Sequence, residues 1–175
     1  VTLRIIWNLS EPNLKEIKLL YVGRLKVEKG IFSFLNLLNE TKLKINFNIL
    51  CKINDKFSSN SKVKYLNYEN NMEKLINIYD EHNVTILPSF TESHPKVLDE
   101  SLARLRPVVV FNDIKHVVQN RKGVFVINRD ITSLDDVLRF ILANYSSIQA
   151  LMQSNKLPSR DNFIDQMKNA LIQKN

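Results

Sequence analysis

The chain has 175 residues, of which 44% are hydrophobic and 25% are charged. This length and apolar content suit one folded domain, and the low counts of 3 Gly and 5 Pro exclude a disordered or collagen-like chain. The single Cys excludes a disulfide framework, and no Cys and His cluster has zinc-site spacing, so we expect no metal. The net charge of +7 favours anionic partners, but no basic run is interleaved with aromatic residues, which argues against nucleic acid.

Six short runs of β-branched and aromatic residues have the length of β-strands. Several are apolar on both faces, which is typical of a buried parallel sheet. The runs lie at Ile17–Val22, Lys44–Leu50, Val63–Leu66, Val84–Leu87, Val108–Phe111 and Val124–Ile127. No apolar stretch approaches the ~20 residues that span a bilayer, so we expect no membrane-spanning segment.

The segments between these runs carry apolar residues three and four apart, which predicts helices packed on a sheet. Helices are predicted around Ile31–Leu38, Met72–Tyr79 and Val97–Leu105, and then at Leu134–Ala143, Ser147–Met152 and Asn162–Ile172. Asp130 or Thr132 is expected to cap the first of the last three helices. Strands that alternate with helices predict βαβ units. The predicted fold class is therefore α/β, with an open parallel sheet of about six strands flanked by helices and followed by C-terminal helices.

The loop Gly23–Gly30 is the first candidate site, because ligands of open parallel sheets bind beyond the carboxyl ends of the strands. Gly23 allows a tight turn or the close approach of a ligand. Arg24 and Lys29 place two cations near a helix N-terminus, which already favours an anion. This arrangement suits a diphosphate, and solvated loop charges are the alternative interpretation.

The loop after the fourth run is the second candidate site. We expect Pro95 at the first helical position after a cap at Ser93 or His94, so that Glu92 stays in the loop. Glu100 then lies about 7.5 Å along the helix, and the two carboxylates can face one ligand. The free N–H groups between them belong to His94, Lys96 and Val97. Carboxylates accept hydrogen bonds from sugar hydroxyls and amides hold phosphate, whereas two surface acids are the alternative.

Together these loops resemble the donor-binding, C-terminal half of retaining glycosyltransferases with two Rossmann-like domains, the GT-B fold, family 4 type. Such proteins carry a Gly-Arg-Leu…Lys-Gly loop, which matches Gly23, Arg24, Leu25, Lys29 and Gly30. They also carry Pro-Ser…Glu, seven residues, Glu and then Ala-x-Gly-x-Pro-Val, which matches Pro88, Ser89, Glu92, Pro95, Lys96, Val97, Glu100, Ala103, Pro107 and Val108. A later Gly before apolar residues matches Gly123, Phe125 and Val126. The resemblance runs from about residue 17 to residue 152.

The resemblance implies a hexosyltransferase-type enzyme that transfers a sugar from a UDP- or GDP-sugar, with retention and without cofactor or metal. It implies a polysaccharide, lipopolysaccharide or glycolipid acceptor and a bacterial, cytoplasmic protein. By this likeness Glu92 is the catalytic residue beside the donor sugar, Glu100 holds the ribose, and the base lies near Tyr68. Arg24 and Lys29 hold the diphosphate. The other donor-binding positions are Gly23, His94, Pro95, Lys96 and Val97.

The resemblance also implies a domain division. Residues 1–14 are expected to be a connector or strand, residues 15–155 the Rossmann-like, nucleotide-sugar-binding domain, and residues 156–175 a C-terminal helix. Each Rossmann-like half needs about 150 residues, so we expect the N-terminal acceptor domain to be absent. The isolated chain is then expected to bind its donor weakly and to be inactive alone.

The chain departs from the family pattern in four places. Cys51–Asp55 holds no Gly where the family has a glycine-rich loop, and Leu105 stands at a family glycine. Asn112 and Asp113 replace a Gly pair, and His116 stands where an acid is common. These departures keep two alternatives open. One is a non-catalytic nucleotide-binding or protein-interaction module on the same scaffold, and the other is a sugar-nucleotide epimerase-like enzyme.

Several other polar residues have structural interpretations. His82 is expected at the surface or as a cap, Cys51 as a buried thiol, and His94 and His116 either contact a ligand or are structural. A solvated basic surface is expected from Arg104, Arg106, Arg121 and Lys122. Such a surface also suggests peripheral contact with anionic lipid at the inner face of a membrane.

Overall fold

The computed structural model describes residues 9, 11–52 and 63–157, and it shows a six-stranded sheet in the order β3-β2-β1-β4-β5-β6. Every pair of neighbouring strands in it is parallel. The strands are β1 Ile17–Val22, β2 Ile45–Cys51, β3 Val63–Asn67, β4 Val84–Leu87, β5 Val108–Phe111 and β6 Val124–Ile127. The helices are α1 Ile31–Glu40, α2 Met72–Glu81, α3 Lys96–Ala103, α4 Ile131–Ala143 and α5 Tyr145–Met152, with 3-10 turns at Val27–Lys29 and Asn112–Val117. The predicted α/β, Rossmann-like class is confirmed, and the predicted helix at Asn162–Ile172 lies outside the described residues.

The core forms because the central strands bury both of their faces. All residues of β4 and β5 are buried, as expected of apolar runs inside a parallel sheet. On one face, Phe34 of α1 meets the rings of Phe47 and Phe111 edge-on, with ring centroids 5.2 Å and 6.4 Å apart. On the other face, Tyr79 of α2 packs on Leu20 and Leu50. Helices therefore cover both sides of the sheet, and its carboxyl edge is left for the loops.

The helix starts confirm one expected cap and correct another. Asp130 caps α4, because its carboxylate accepts a hydrogen bond from the amide of Ser133 at 2.8 Å, and this bonding lowers the pKa of Asp130. Pro95 is not the first helical residue of α3, because its backbone is extended and its carbonyl accepts the first helical hydrogen bond from the amide of Leu98. Proline suits both positions, since its fixed φ fits the residue before a helix and the first residue within it. The helix therefore begins at Lys96.

His82 is the C-cap of α2, so the expected capping position is confirmed. The alternative surface position is wrong, because the residue is only 2% exposed. Nδ1 donates to the carbonyl of Ile78 at 2.6 Å, so Nε2 accepts from the side-chain amide of Asn48 at 2.8 Å. Burial lowers the pKa of His82, and this effect outweighs the hydrogen bond to the Ile78 carbonyl and the charge of Glu81, which both raise the pKa. The ring is therefore held neutral.

This neutral ring predicts loss of stability in acid. The unfolded chain protonates His82 near its ordinary pKa of 6.5 while the folded chain resists, so stability is full above that value and falls as the pH drops through the folded pKa. We expect the melting temperature of the parent to fall more steeply from about pH 7.5 to about pH 5.5 than that of His82→Gln, measured by circular dichroism. His94→Gln, at a side chain 56% exposed, is expected to keep the parent's steep fall. Equal slopes for the parent and His82→Gln would contradict this account.

The turn between α3 and β5 corrects the expected basic surface. Arg104 and Arg106 are 1% and 0% exposed, and both reach Asp80 of α2. Arg104 Nε donates to Asp80 Oδ1 at 2.8 Å, and Arg106 donates to the Asp80 carbonyl at 3.0 Å. Arg121 is also largely covered, with Nε 3.0 Å from Asp99 Oδ1, whereas Lys122 is exposed. Buried partners, which the sequence pattern does not reveal, draw these arginines inward.

Candidate functional site

The strand order reverses between β1 and β4, and the loops that follow these two strands lie side by side. The amide of Phe90 donates to the carbonyl of Glu28 at 3.0 Å, which joins the two loops. Gly30 has a φ of +63°, and a Cβ placed there would lie 1.9 Å from the carbonyl oxygen of Pro88. A side chain at position 30 would therefore push the loops apart. This crevice is the site expected of an open parallel sheet.

The turn that carries Arg24 is fixed from beneath by a buried tyrosine. Tyr21 is 1% exposed, and its hydroxyl donates to the carbonyl of Arg24 at 2.7 Å. Burial raises the pKa of Tyr21, with Glu92 as the next cause, so the hydroxyl stays a donor. A Cβ at Gly23 would come within 2.8 Å of that hydroxyl, which explains the glycine. The side chain of Arg24 is exposed above the turn.

Lys29 and Glu92 come together across the crevice. Lys29 Nζ lies 2.6 Å from Glu92 Oε1, and the hydroxyl of Ser89 donates to the same oxygen at 2.8 Å. Ser89 is 1% exposed, and the side chains of Lys29 and Glu92 are 21% and 14% exposed. His116 Nε2 donates to the backbone carbonyl of Glu92 at 2.7 Å. Within the described residues no hydrogen bond occupies Glu92 Oε2, which can accept from a ligand.

Glu100 is held separately, in the second turn of α3. The hydroxyl of Tyr79 donates to Glu100 Oε2 at 2.8 Å, and Tyr79 is fully buried. Burial and the neighbouring Glu100 carboxylate raise the pKa of Tyr79, so this hydroxyl also stays protonated. Among the described residues no hydrogen bond or ion pair joins Glu100 to Lys29 or Glu92. Glu100 therefore stands as a second, independently fixed acceptor.

The start of α3 presents a mixture of buried and exposed groups. His94 Nε2 lies 3.1 Å from Asp99 Oδ2, so its exposed ring already has a carboxylate partner. Pro95 is buried, Val97 is partly buried and Lys96 is exposed. The first amides of a helix have no partners within it and favour an anion.

Tyr68 lies apart from these groups. It follows β3, two strands from β1, and its ring is 49% exposed with Lys52 Nζ 5.9 Å from the ring centroid. The thiol of Cys51 is buried, as expected. The glycine-free segment Cys51–Asp55 is described as far as Lys52, and its other residues lie outside the described part of the chain. The structure thus brings Lys29 and Glu92 into contact and leaves Tyr68 at the rim of the same carboxyl edge.

Arg129, which follows β6, is a site residue that the sequence analysis missed. Its guanidinium lies 4.3 Å from the ring centroid of Phe90 and 4.2 Å from that of Phe111. One terminal nitrogen donates to the Pro88 carbonyl at 3.0 Å and to Asp113 Oδ2 at 2.8 Å. The position of Arg129 after a predicted strand was a usable signal, because every loop at that edge is a candidate.

Residues 8–158 match the family model described as glycosyl transferases group 1. The chain belongs to this family. No curated protein matches the sequence.

Solved glycosyltransferase structures share the fold of this glycosyl transferases group 1 chain. Sucrose-phosphate synthase from Thermosynechococcus elongatus is 19% identical, with a TM-score of 0.71 over 92% of this chain and 46% of that protein. Anabaena Alr3699/HepE in complex with UDP is 12% identical, with a TM-score of 0.71 over 90% of this chain and 49% of that protein. A trehalose-6-phosphate synthase studied for glycosyltransfer with retention is 17% identical, with a TM-score of 0.59 over 80% and 41%. The chain thus spans less than half of each of these proteins.

No helix among residues 9, 11–52 and 63–157 has the length and apolar content needed to cross a bilayer. The same part of this family member contains no group of three or more His, Cys, Asp or Glu residues placed to hold a metal ion.

Proposed function

We propose that this chain is the donor-binding half of a retaining, family 4 type glycosyltransferase with the GT-B fold. The observation that carries the proposal is the contact of Lys29 with Glu92 at the point where the strand order reverses. At that point the cation can bind the diphosphate of a nucleotide diphosphate sugar, and the carboxylate can bind its sugar. Membership of the glycosyl transferases group 1 family supports the same reaction class.

The proposed donor is a UDP- or GDP-hexose. Support for uridine comes from the HepE structure with UDP and from a further structure of HepE with UDP-glucose. Support for retention comes from the trehalose-6-phosphate synthase work on that outcome. The bond from the anomeric carbon to the diphosphate breaks, a bond to an acceptor hydroxyl forms on the same face, and the hydroxyl proton leaves with the nucleoside diphosphate.

The proposed roles follow from where each group is held. Lys29, Arg24 and the first amides of α3 offset charge on the leaving diphosphate, the kind of stabilisation that usually dominates such catalysis. Glu92 Oε2 accepts from a donor-sugar hydroxyl, and the carboxylate stabilises oxocarbenium character at the sugar. Glu100, fixed by Tyr79, accepts from the ribose, and Tyr68 lies beside the base.

The proposed acceptor is a polysaccharide, lipopolysaccharide or glycolipid bound by a separate N-terminal domain, in the bacterial cytoplasm. The matched solved structures are more than twice as long as their shared region, which supports a second domain. The proposal of peripheral membrane contact is weakened, since Arg104 and Arg106 are buried. The exposed Lys122 remains a candidate for contact with anionic lipid.

Calorimetric titration of the chain with UDP, GDP, ADP and UDP-glucose tests the proposal. We expect UDP or GDP to bind weakly, and we expect Glu92→Gln to leave nucleotide affinity nearly intact, because Lys29 binds the diphosphate whereas Glu92 accepts from the sugar. In a two-domain enzyme the same change is expected to reduce turnover strongly. Absence of binding by any of these nucleotides at millimolar concentration would overturn the proposal.

A non-catalytic nucleotide-binding module is the second candidate. It is favoured by the closed Lys29 to Glu92 pair, which occupies the cation before any diphosphate arrives. The two candidates differ in the role of Glu92. A module binds UDP and UDP-glucose equally and tolerates Glu92→Gln with either ligand, whereas a transferase loses the extra affinity that the sugar contributes.

A further inference from the structure

We propose that Arg129 is a positioning residue that fixes the turn Pro88–Glu92 and, through it, the carboxylate of Glu92. The proposal deepens the proposed function and rests on it for the role of Glu92 toward a donor sugar. Arg129 itself lies between two aromatic rings rather than beside Glu92. It therefore acts on Glu92 through the backbone of the turn Pro88–Glu92, whose first carbonyl accepts its hydrogen bond.

The first observation is the clamp on the guanidinium. Phe90 lies 4.3 Å away on β4's loop and Phe111, the last residue of β5, lies 4.2 Å away. A planar, always charged guanidinium can stack on aromatic faces and still donate from its edge, whereas an ammonium has no plane to stack. The ring contacts therefore fix the plane in which Arg129 donates.

The second observation is the pair of groups to which the guanidinium donates hydrogen bonds. The same nitrogen of Arg129 donates to the Pro88 carbonyl and to the carboxylate of Asp113, so it joins the chain after β4, β5 and β6. The Pro88 carbonyl also packs against Gly30, whose missing Cβ leaves room for it. This oxygen is thus held between Arg129 and the loop that carries Lys29.

The third observation connects Pro88 to the carboxylate. The next residue, Ser89, is 1% exposed and donates to Glu92 Oε1, the oxygen that Lys29 also contacts. A shift of the Pro88 carbonyl therefore moves Ser89 directly and changes where Glu92 Oε1 is held. Arg129 in this way sets the orientation that leaves Oε2 toward a ligand.

The fourth observation distinguishes Arg129 from an ordinary surface arginine. Its side chain is 19% exposed, and within the described residues its second terminal nitrogen is buried without a hydrogen-bond partner. An unsatisfied buried donor is unfavourable and rare in native structures. The guanidinium is therefore held by its ring contacts and by the two bonds of its other terminal nitrogen, one of which fixes the turn.

The experiment compares Arg129→Gln and Arg129→Lys with the parent, and uses Arg139→Gln, an exposed arginine of α4, as the matched control. Titration with UDP and with UDP-glucose separates the diphosphate from the sugar. We expect Arg129→Gln to keep UDP affinity within about twofold and to lower UDP-glucose affinity by about tenfold, the scale of a charge-assisted hydrogen bond. Arg129→Lys is expected to fall between the parent and Arg129→Gln, and Arg139→Gln to match the parent.

Amide hydrogen exchange of the unliganded chain supplies a second measurement that does not depend on a donor. We expect faster exchange at residues 89–92 in Arg129→Gln, with unchanged exchange in β1 and β4. If the parent binds neither nucleotide, the proposed function fails and exchange alone decides the role of Arg129. Equal losses for UDP and UDP-glucose, uniformly faster exchange, or parent-like behaviour in both measurements would overturn the proposal. If Arg129→Gln does not fold, Arg129→Lys carries the same comparison.

Discussion

Lys29→Ala is expected to weaken UDP binding by roughly tenfold to a hundredfold, because a hydrogen bond to a charged group contributes about 1.5–3 kcal/mol. The change also leaves Glu92, whose side chain is 14% exposed, without the ammonium that lies 2.6 Å from its Oε1. An unpaired carboxylate at that place repels the diphosphate. The loss therefore combines a missing attraction with a new repulsion, and calorimetric titration measures their sum.

Lys26→Ala is the matched control for this prediction. Lys26 belongs to the same loop, but its side chain is 52% exposed and lies 3.9 Å from Glu28, so its removal is expected to change UDP affinity by less than about twofold. The double variant Lys29→Ala with Glu92→Gln removes the repulsion and is expected to recover part of the affinity. If the Lys29→Ala variant binds UDP as tightly as the Lys26→Ala variant does, Lys29 does not hold the diphosphate.

The sheet could be predicted from the sequence because its signals are local. Apolar runs that are buried on both faces, separated by stripes of helical period, identify strands and helices without any long-range information. The strands β1, β4, β5 and β6 begin and end where the runs do, whereas β2 begins and ends one residue later than its run and β3 ends one residue later. The cap of α4 was equally local, since Asp130 bonds to an amide three residues away.

The sequence predicts the site only in part. Its motifs lie within short segments of the chain, whereas the residues that hold its side chains in place come from distant segments. The two loops with Lys29 and Glu92 follow from the carboxyl-edge rule and the resemblance. Tyr79 and Arg129 lie 21 and 41 residues from the groups they hold, Glu100 and Pro88, and no spacing in the sequence reports such pairs. Side-chain direction becomes known only once the strands are ordered.

The turn Arg104–Arg106 shows why some charged residues mislead. Arginine is seldom fully buried unless it is paired, and the partner Asp80 lies in another helix. Leu105 between them has a φ of +52°, a left-handed conformation that costs a leucine about 1–2 kcal/mol. This conformation favours glycine, which the family pattern has at this position, and the flanking buried arginines hold Leu105 in it.

Asp80→Asn is expected to lower the free energy of unfolding by about 3–5 kcal/mol, since it leaves two buried guanidinium charges without their carboxylate. Arg104 reaches both oxygens of that carboxylate, with Nε at 2.8 Å from Oδ1 and a terminal nitrogen 2.5 Å from Oδ2. Arg106 lies 3.9 Å from Oδ1 as well. Because a domain of this size is stable by only about 5–15 kcal/mol, the change removes a large share of its stability.

Urea denaturation followed by circular dichroism measures this loss, and Glu16→Gln is the matched control. Glu16 pairs with Lys18 at 3.4 Å, but their side chains are 36% and 28% exposed, so its neutralisation is expected to cost at most about 1 kcal/mol. A second variant, Asp80→Leu with Arg104→Met, removes one buried charge pair together and is expected to be more stable than Asp80→Asn. If Asp80→Asn costs no more than Glu16→Gln, the arginines are not held by this carboxylate. Stabilisation of α2 against the turn after α3 then has to come from apolar packing and from the hydrogen bond that Arg106 donates to the Asp80 carbonyl.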